Sequence, residues 1–269
     1  MTALPTAVVL QLGESCAGNV PPVQLVLEDE TWKAIENLQS LVIEGLQEHF
    51  FNNNELEALF LSNPHLITTA KNLRDQGKSP LSREHTLEDN EQVQTALTFI
   101  NELVRISIYL SSSQSSLSLS LDAFLKNIPS IFVNYQPVSS TDKKYKQRCQ
   151  MLLIDTPGPN EAAGSPQLGR FVTNELRKAD VILAVTEYGH LNTESEAKIV
   201  DNIKKIRQYK QNRECIYVLI SKGDRRERRD MSEDELRQHV AAAYDVPKEY
   251  VFELSGKYAL IARKFLADH

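Results

Sequence analysis

From Met151 to Leu266 the chain alternates short, almost wholly apolar runs with amphipathic stretches, and this alternation restricts the fold more than any other feature. The apolar runs are Met151–Ile154, Val181–Thr186, Cys215–Ile220 and Tyr250–Leu254. Helical spacing fills the intervals at Gln167–Lys178, Glu194–Gln211 and Ser232–Tyr244, with a last helix at Lys257–Leu266. A strand apolar at successive positions is buried on both faces, and helical crossovers return the chain so that such strands run parallel. The pattern predicts a doubly wound α/β unit with a mostly parallel sheet.

The first half has a different character. Ala7–Leu12 and Val23–Leu27 read as strands, and Gly13, Gly18 and Pro21-Pro22 between them make an antiparallel hairpin the natural connection. Residues 30–127 form a helical insertion. Trp32, Ile35, Leu38, Leu41, Val42, Leu46 and Phe50 recur at helical spacing, Leu56, Leu59 and Phe60 suggest a shorter helix, and Val93, Leu97, Ile100, Leu103, Val104 and Ile108 a longer one. These stripes read as packing surfaces. Ser111–Ser120 is a low-complexity connector, and strand character returns at Ile128–Tyr135. The expected organisation is therefore residues 1–29 (an entry segment and hairpin), residues 30–127 (helical insertion) and residues 128–269 (the α/β half).

Composition excludes several classes. The 269 residues are 41% hydrophobic and 25% charged, as in a globular chain, and the formal charge of −6 gives no global attraction for nucleic acid. No apolar run approaches the roughly 18–20 residues of a membrane span, so no transmembrane segment is expected. Cys16, Cys149 and Cys215 are odd in number and far apart, which fits reduced thiols and a cytoplasmic protein. The six histidines form no H-x-x-x-H pair. Two basic runs, Lys143–Lys146 with Arg148 and Lys222 with Arg225–Arg229, read as solvated surface, the second alternatively as a contact across a dimer or with an acidic partner.

In parallel sheets ligands bind beyond the carboxyl ends of the strands, so the loops there carry the chemistry. After Met151–Ile154 comes Asp155-Thr-Pro-Gly158, after Cys215–Ile220 comes Ser221-Lys-Gly-Asp224, and after Tyr250–Leu254 comes Ser255-Gly-Lys257. Taken alone, each is also a plausible polar turn. Together, in this order, they match the phosphate, guanine-reading and guanine-supporting loops of a GTP-binding domain. Asp155 can hold Mg²⁺ through water, because hard cations take oxygen ligands. Gly158 lets the backbone approach a γ-phosphate with no Cβ in the way. Asp224 can accept from guanine N1–H and the 2-amino group together, a pairing adenine cannot offer. The stem of Lys222 can lie along the base, and the N–H groups of Ser255 and Gly256 can donate to guanine O6.

Leu152–Glu161, with Leu176-Arg-Lys-Ala179 and Val181–Val185, resembles the bacterial dynamin-like GTPases, most nearly their replication-clamp-binding type. The resemblance covers most of the chain and implies a P-loop-NTPase-type fold, GTP hydrolysis, GTP and Mg²⁺ as ligands, pairing of two such domains, and the replication sliding clamp as a partner. It also implies that Met1–Thr6 is a switch segment in which Thr2, or less readily Thr6, ligates Mg²⁺ and orients the attacking water. Ser221 stands where the family favours Asn or Thr, and keeps a hydroxyl. Pro159 occupies the place of the water-orienting Gln of Ras-like enzymes, which dynamin-like proteins also lack.

One element of that family is missing from these residues. No G-x-x-x-x-G-K-[ST] occurs, and Gly77-Lys78-Ser79, which has Asn72 where the first Gly belongs, is a decoy inside the helical insertion. Without that loop there is no nest of N–H groups for the β-phosphate and no Lys for the β- and γ-oxygens. The expectation is a GTPase-domain fragment lacking its first strand and P-loop, binding GTP weakly or not at all. The alternative is a non-catalytic interaction module, a pseudo-GTPase or a split half that completes its sheet with another polypeptide. An α/β enzyme using another nucleotide is disfavoured by Asp224 and Ser255.

Overall fold

A computed structural model describes residues 4–12, 23–48, 60, 63–77, 79–81, 84–113, 121–135, 149–158, 162, 164–191, 193–209, 216–226 and 230–259. The chain divides into two compact units, Met1–Gly169 and Arg170–His269. Each holds one sheet, so the described strands build a mixed five-stranded sheet and a separate three-stranded parallel sheet.

In the first unit the strands are β1 (Thr6–Leu12), β2 (Val23–Val26), β3 (Thr86–Leu87), β4 (Ser130–Tyr135) and β5 (Cys149–Asp155). Their order is β3-β2-β4-β1-β5. β1 runs parallel to β4 and antiparallel to β5, while β2 is antiparallel to β4 and β3. The expected β1–β2 hairpin does not form: both strands exist, but β4 lies between them and takes an edge of each. A parallel β1–β4 pair needs a long crossover, and the helical insertion supplies it. The Met151–Ile154 run, expected among parallel neighbours, pairs antiparallel with β1 instead. The expectation of one doubly wound, mostly parallel sheet is thus corrected for this unit.

The helices of the insertion are α1 (Asp29–Glu48), α2 (His65–Gln76), α3 (Asn90–Ser113) and the short α4 (Asp122–Lys126). The apolar stripes read from the sequence become the core: Trp32, Ile35, Leu38, Val42 and Leu46 of α1 meet Ile100, Leu103 and Val104 of α3. Leu66, Ala70 and Leu73 of α2 and Phe60 join them, and Leu25 and Leu27 carry the cluster onto the sheet side. The Trp32 indole N–H donates to the Glu84 carbonyl at 3.1 Å, satisfying its one polar atom. The helix α2 was not evident from the sequence, and the shorter helix expected near Leu56 and Leu59 lies outside the described residues. Gly77 closes α2 in the left-handed conformation, φ 63°, as glycine after a helix does. That is the structural role of the Gly77 motif.

The second unit contains α5 (Pro166–Lys178, which begins just before it), β6 (Ile182–Glu187), α6 (Glu194–Tyr209), β7 (Ile216–Ser221), α7 (Glu233–Tyr244) and β8 (Val251–Glu253). The sheet is parallel in the order β6-β7-β8. Ser232 caps α7 through a reciprocal capping box with Glu235. Burial alternates along β6 and β7, so one face packs Ile182, Ala184, Ile216, Val218, Ile220 and Val251 against Val200 and Ile203 of α6 and Leu236 and Val240 of α7. On the other face Leu183, Val185 and Phe252 are exposed. Parallel architecture is therefore confirmed here, and among the described residues of this unit the helices cover one face.

Leu103 is wholly buried where α1 and α3 meet. Leu103→Ala should lower the free energy of unfolding by about 2–5 kcal/mol, the range for deleting a buried leucine side chain. Urea denaturation of the two proteins checks this; a loss below about 1 kcal/mol would show the insertion core to be loosely packed.

Candidate guanine-reading site

At the carboxyl end of the parallel sheet two loops are tied together by backbone and side-chain bonds. β7 ends at Ser221, and the chain then passes through Lys222 in the left-handed conformation, φ 58°. Such a conformation costs a non-glycine residue about 1–2 kcal/mol, so surrounding contacts must hold it. A single 3-10 turn follows over Gly223–Arg225, closed by the Arg226 N–H on the Gly223 carbonyl at 3.1 Å. The neighbouring loop after β8 is bound to it: Leu254 N–H donates to the Ile220 carbonyl at 2.7 Å, and Gly223 N–H to the Leu254 carbonyl at 3.4 Å.

The side chains complete the tie. Ser255 Oγ donates to Asp224 Oδ1 at 2.7 Å and accepts from the Tyr258 N–H at 3.2 Å. The same serine carbonyl accepts from the Ala259 N–H at 3.0 Å, so Ser255 caps the helical turn that begins at Gly256. The Ser255 hydroxyl, first among the causes, holds the Asp224 carboxyl below its ordinary pKa against desolvation, with help from its own N–H and from Lys257 and Arg225. Asp224 is therefore an ionised, acceptor-only group with one oxygen already oriented. Ser221 donates through Oγ to the Thr186 carbonyl at 3.0 Å, anchoring the loop to β6.

Four residues not singled out by sequence reasoning shape this loop. Glu187 accepts from Lys222 Nζ at 2.6 Å and from Arg225 Nη1 at 2.9 Å. Glu253 accepts from Arg226 Nη1 at 3.0 Å. Gly223 is closely approached by Glu253: a Cβ there would stand 2.2 Å from its Oε1 and 2.6 Å from its Cγ, so a larger residue would displace that side chain and its pairing with Arg226. Thr186 supplies the anchoring carbonyl. The signal for Glu187 was present, as a charge directly after an apolar strand at the end where ligands bind.

Asp155 and Gly158 belong to the first unit. Asp155 ends β5 directly opposite Thr6, the first residue of β1, so the chain enters β1 at the end where β5 finishes. The Asp155 carboxyl is reached by solvent, yet the surrounding protein desolvates it enough to raise its pKa, opposed by the Thr156 backbone N–H. Gly158 accepts through its carbonyl from the Ala162 N–H at 2.9 Å. Thr6 is buried within the strand, and Thr2 lies outside the described residues. Among the described residues no group of three or more His, Cys, Asp or Glu side chains could hold a metal, and no helix is long and apolar enough to cross a membrane.

Comparison with known proteins finds a distant relation. The chain is similar to the clamp-binding protein CrfC of Escherichia coli strain K12, 27% identical over 171 residues that cover 62% of this chain and 22% of the relative. A second CrfC sequence from Escherichia coli matches to the same extent. The chain thus spans 22% of the length of the curated relatives it matches. No protein-family model and no solved structure matches it.

The raised Asp155 pKa gives a pH-dependent prediction. A carboxyl raised on folding opposes the folded state above its folded pKa, and the opposition fades as pH falls to the ordinary carboxylate range. Asp155→Asn removes the charge and keeps the shape. It should raise the thermal midpoint at pH 7 without Mg²⁺, and the difference should close near pH 4. A midpoint lowered equally at both pH values would contradict it.

Proposed function

We propose that this chain carries the guanine-reading part of a GTP-binding domain related to the bacterial dynamin-like GTPases. The observation that carries the reading is the Ser255–Asp224 hydrogen bond, which joins two loops at the carboxyl end of a parallel sheet and holds one oxygen of an ionised, partly exposed carboxylate. A carboxylate oriented in this way accepts from guanine N1–H and the 2-amino group; adenine presents an acceptor and a C–H at those positions. Lys222 flanks the base with its stem, and Ser255 and Gly256 N–H groups meet O6.

Hydrolysis in a complete domain of this class is attack of water on the γ-phosphorus, promoted by positioning and charge stabilisation. Mg²⁺, when bound, neutralises charge on the β- and γ-oxygens. Asp155 would hold it through water and Thr2 directly, with the Gly158 N–H on the γ-phosphate. A single carboxylate at a strand end fits that ion, which keeps most of its waters and relies on phosphate oxygens. The chain has no G-x-x-x-x-G-K-[ST], so its own residues contribute base reading more than phosphate binding, and its GTP affinity should be weak. Similarity to a protein named for clamp binding supports the replication clamp as a partner. Pairing of two such domains remains part of the same proposal.

A second reading, an interaction module that completes a sheet with another polypeptide, is favoured by the apolar residues exposed on two edge strands. Met151 and Leu152 of β5 are exposed, as are Leu183 and Val185 of β6, and each strand has one described neighbour. Apolar edge strands invite pairing with a further strand.

Nucleotide binding separates the two. The wild-type chain should prefer GTP over ATP, and Asp224→Ala should reduce that preference by about 10–100-fold, the worth of hydrogen bonds to a charged group. Equal affinity for both nucleotides in both proteins, by calorimetric titration, would favour the interaction module.

A further inference from the structure

Glu187 is the last residue of β6 and lies beside Ser221 in the β6–β7 ladder, at the mouth of the loop that reads the base. Its two carboxylate oxygens are divided between two cations of that loop: Oε2 takes Lys222 Nζ at 2.6 Å and Oε1 takes Arg225 Nη1 at 2.9 Å. The carboxylate is only 20% exposed, whereas the Lys222 and Arg225 side chains are 47% and 61% exposed. Two long, flexible cations thus converge on one comparatively rigid anion supplied by the neighbouring strand. They bracket Asp224, and the first of them occupies the left-handed position at which the loop turns.

We infer that Glu187 is a positioning residue for guanine recognition: it clamps Lys222 and Arg225 from β6, fixing the path of the Lys222 stem and the pitch of the 223–225 turn that aims Asp224. This rests on the guanine-reading proposal above. Exposed ion pairs taken singly contribute little, but two cations sharing one carboxylate order each other, because the anion held by the first is already placed for the second. Without the carboxylate, the two cations repel and Lys222 is free to leave the base. Both Glu187 oxygens are taken by these two cations, so it acts on affinity and leaves base choice to Asp224.

The test uses the full chain and guanosine, an uncharged probe whose affinity depends neither on a phosphate loop nor on its own charge. Ligand-observed NMR gives its affinity, with adenosine as the control, for the wild type, Glu187→Gln, Glu187→Asp and Asp224→Ala. Glu187→Gln should weaken guanosine about fivefold, an effect in the range of a small ion-pair network, with guanosine still preferred over adenosine. Raising salt should weaken guanosine on the wild type and leave Glu187→Gln nearly unchanged, since screening acts on the pairs. Glu187→Asp keeps the charge with a shorter reach and should fall between them. If Asp224→Ala loses guanosine preference while Glu187→Gln binds like the wild type, the positioning role is overturned and the guanine reading stands. A Glu187→Gln protein with a lowered thermal midpoint and unchanged guanosine affinity overturns it too, showing a structural role alone. If the wild type itself does not distinguish guanosine from adenosine, the guanine reading fails and takes this inference with it.

Discussion

The Ser255 hydroxyl joins the ends of two neighbouring parallel strands, and the candidate site depends on that bond. Asp224 sits on a loop after β7, Ser255 on a loop after β8, and the two strands pair in parallel register from Val218–Val251 to Ile220–Glu253. The ladder brings the loops to one end of the sheet, and the Leu254 N–H on the Ile220 carbonyl fixes their spacing. The hydroxyl then orients a carboxylate that is otherwise surrounded by solvent and cations. The bond favours the ionised, acceptor-only form that Asp224 has at physiological pH, and fixes the direction of one of its oxygens.

The loop around this bond carries conformational cost in a small space. Lys222 adopts a left-handed backbone, and the Glu253 side chain lies so close to Gly223 that a Cβ there would have to displace it. Backbone strain held at a strand end is a pattern found where residues serve binding. Glu187 and Glu253 offset part of that cost by pairing with Lys222, Arg225 and Arg226.

Much of this was legible in the residues. Apolar runs and helical spacing located β4 to β8 and α5 to α7 to within a few residues, because unbroken apolar runs and period-3.6 stripes are strong local signals. The loops after those strands followed from the rule that parallel sheets bind ligands at their carboxyl ends. Pairing was less legible: Gly13, Gly18 and Pro21-Pro22 suggested a β1–β2 hairpin, yet β4, more than a hundred residues away, inserts between the two strands. Strand partners are set by long-range packing, which a local turn signal does not report. α2 was hidden because its buried residues Leu66, Ala70 and Leu73 are few and the helix is otherwise mostly polar. Glu187 and Gly223 escaped notice because their roles arise from side chains that meet across different strands.

Backbone amide mapping by NMR locates a bound base on the chain. With isotope-labelled chain titrated separately with GTP and ATP in the presence of Mg²⁺, GTP alone should shift the amides of residues 221–225 and 253–257. Equal shifts from both nucleotides, or GTP shifts confined to other segments, would contradict a guanine-reading site at Asp224 and Ser255.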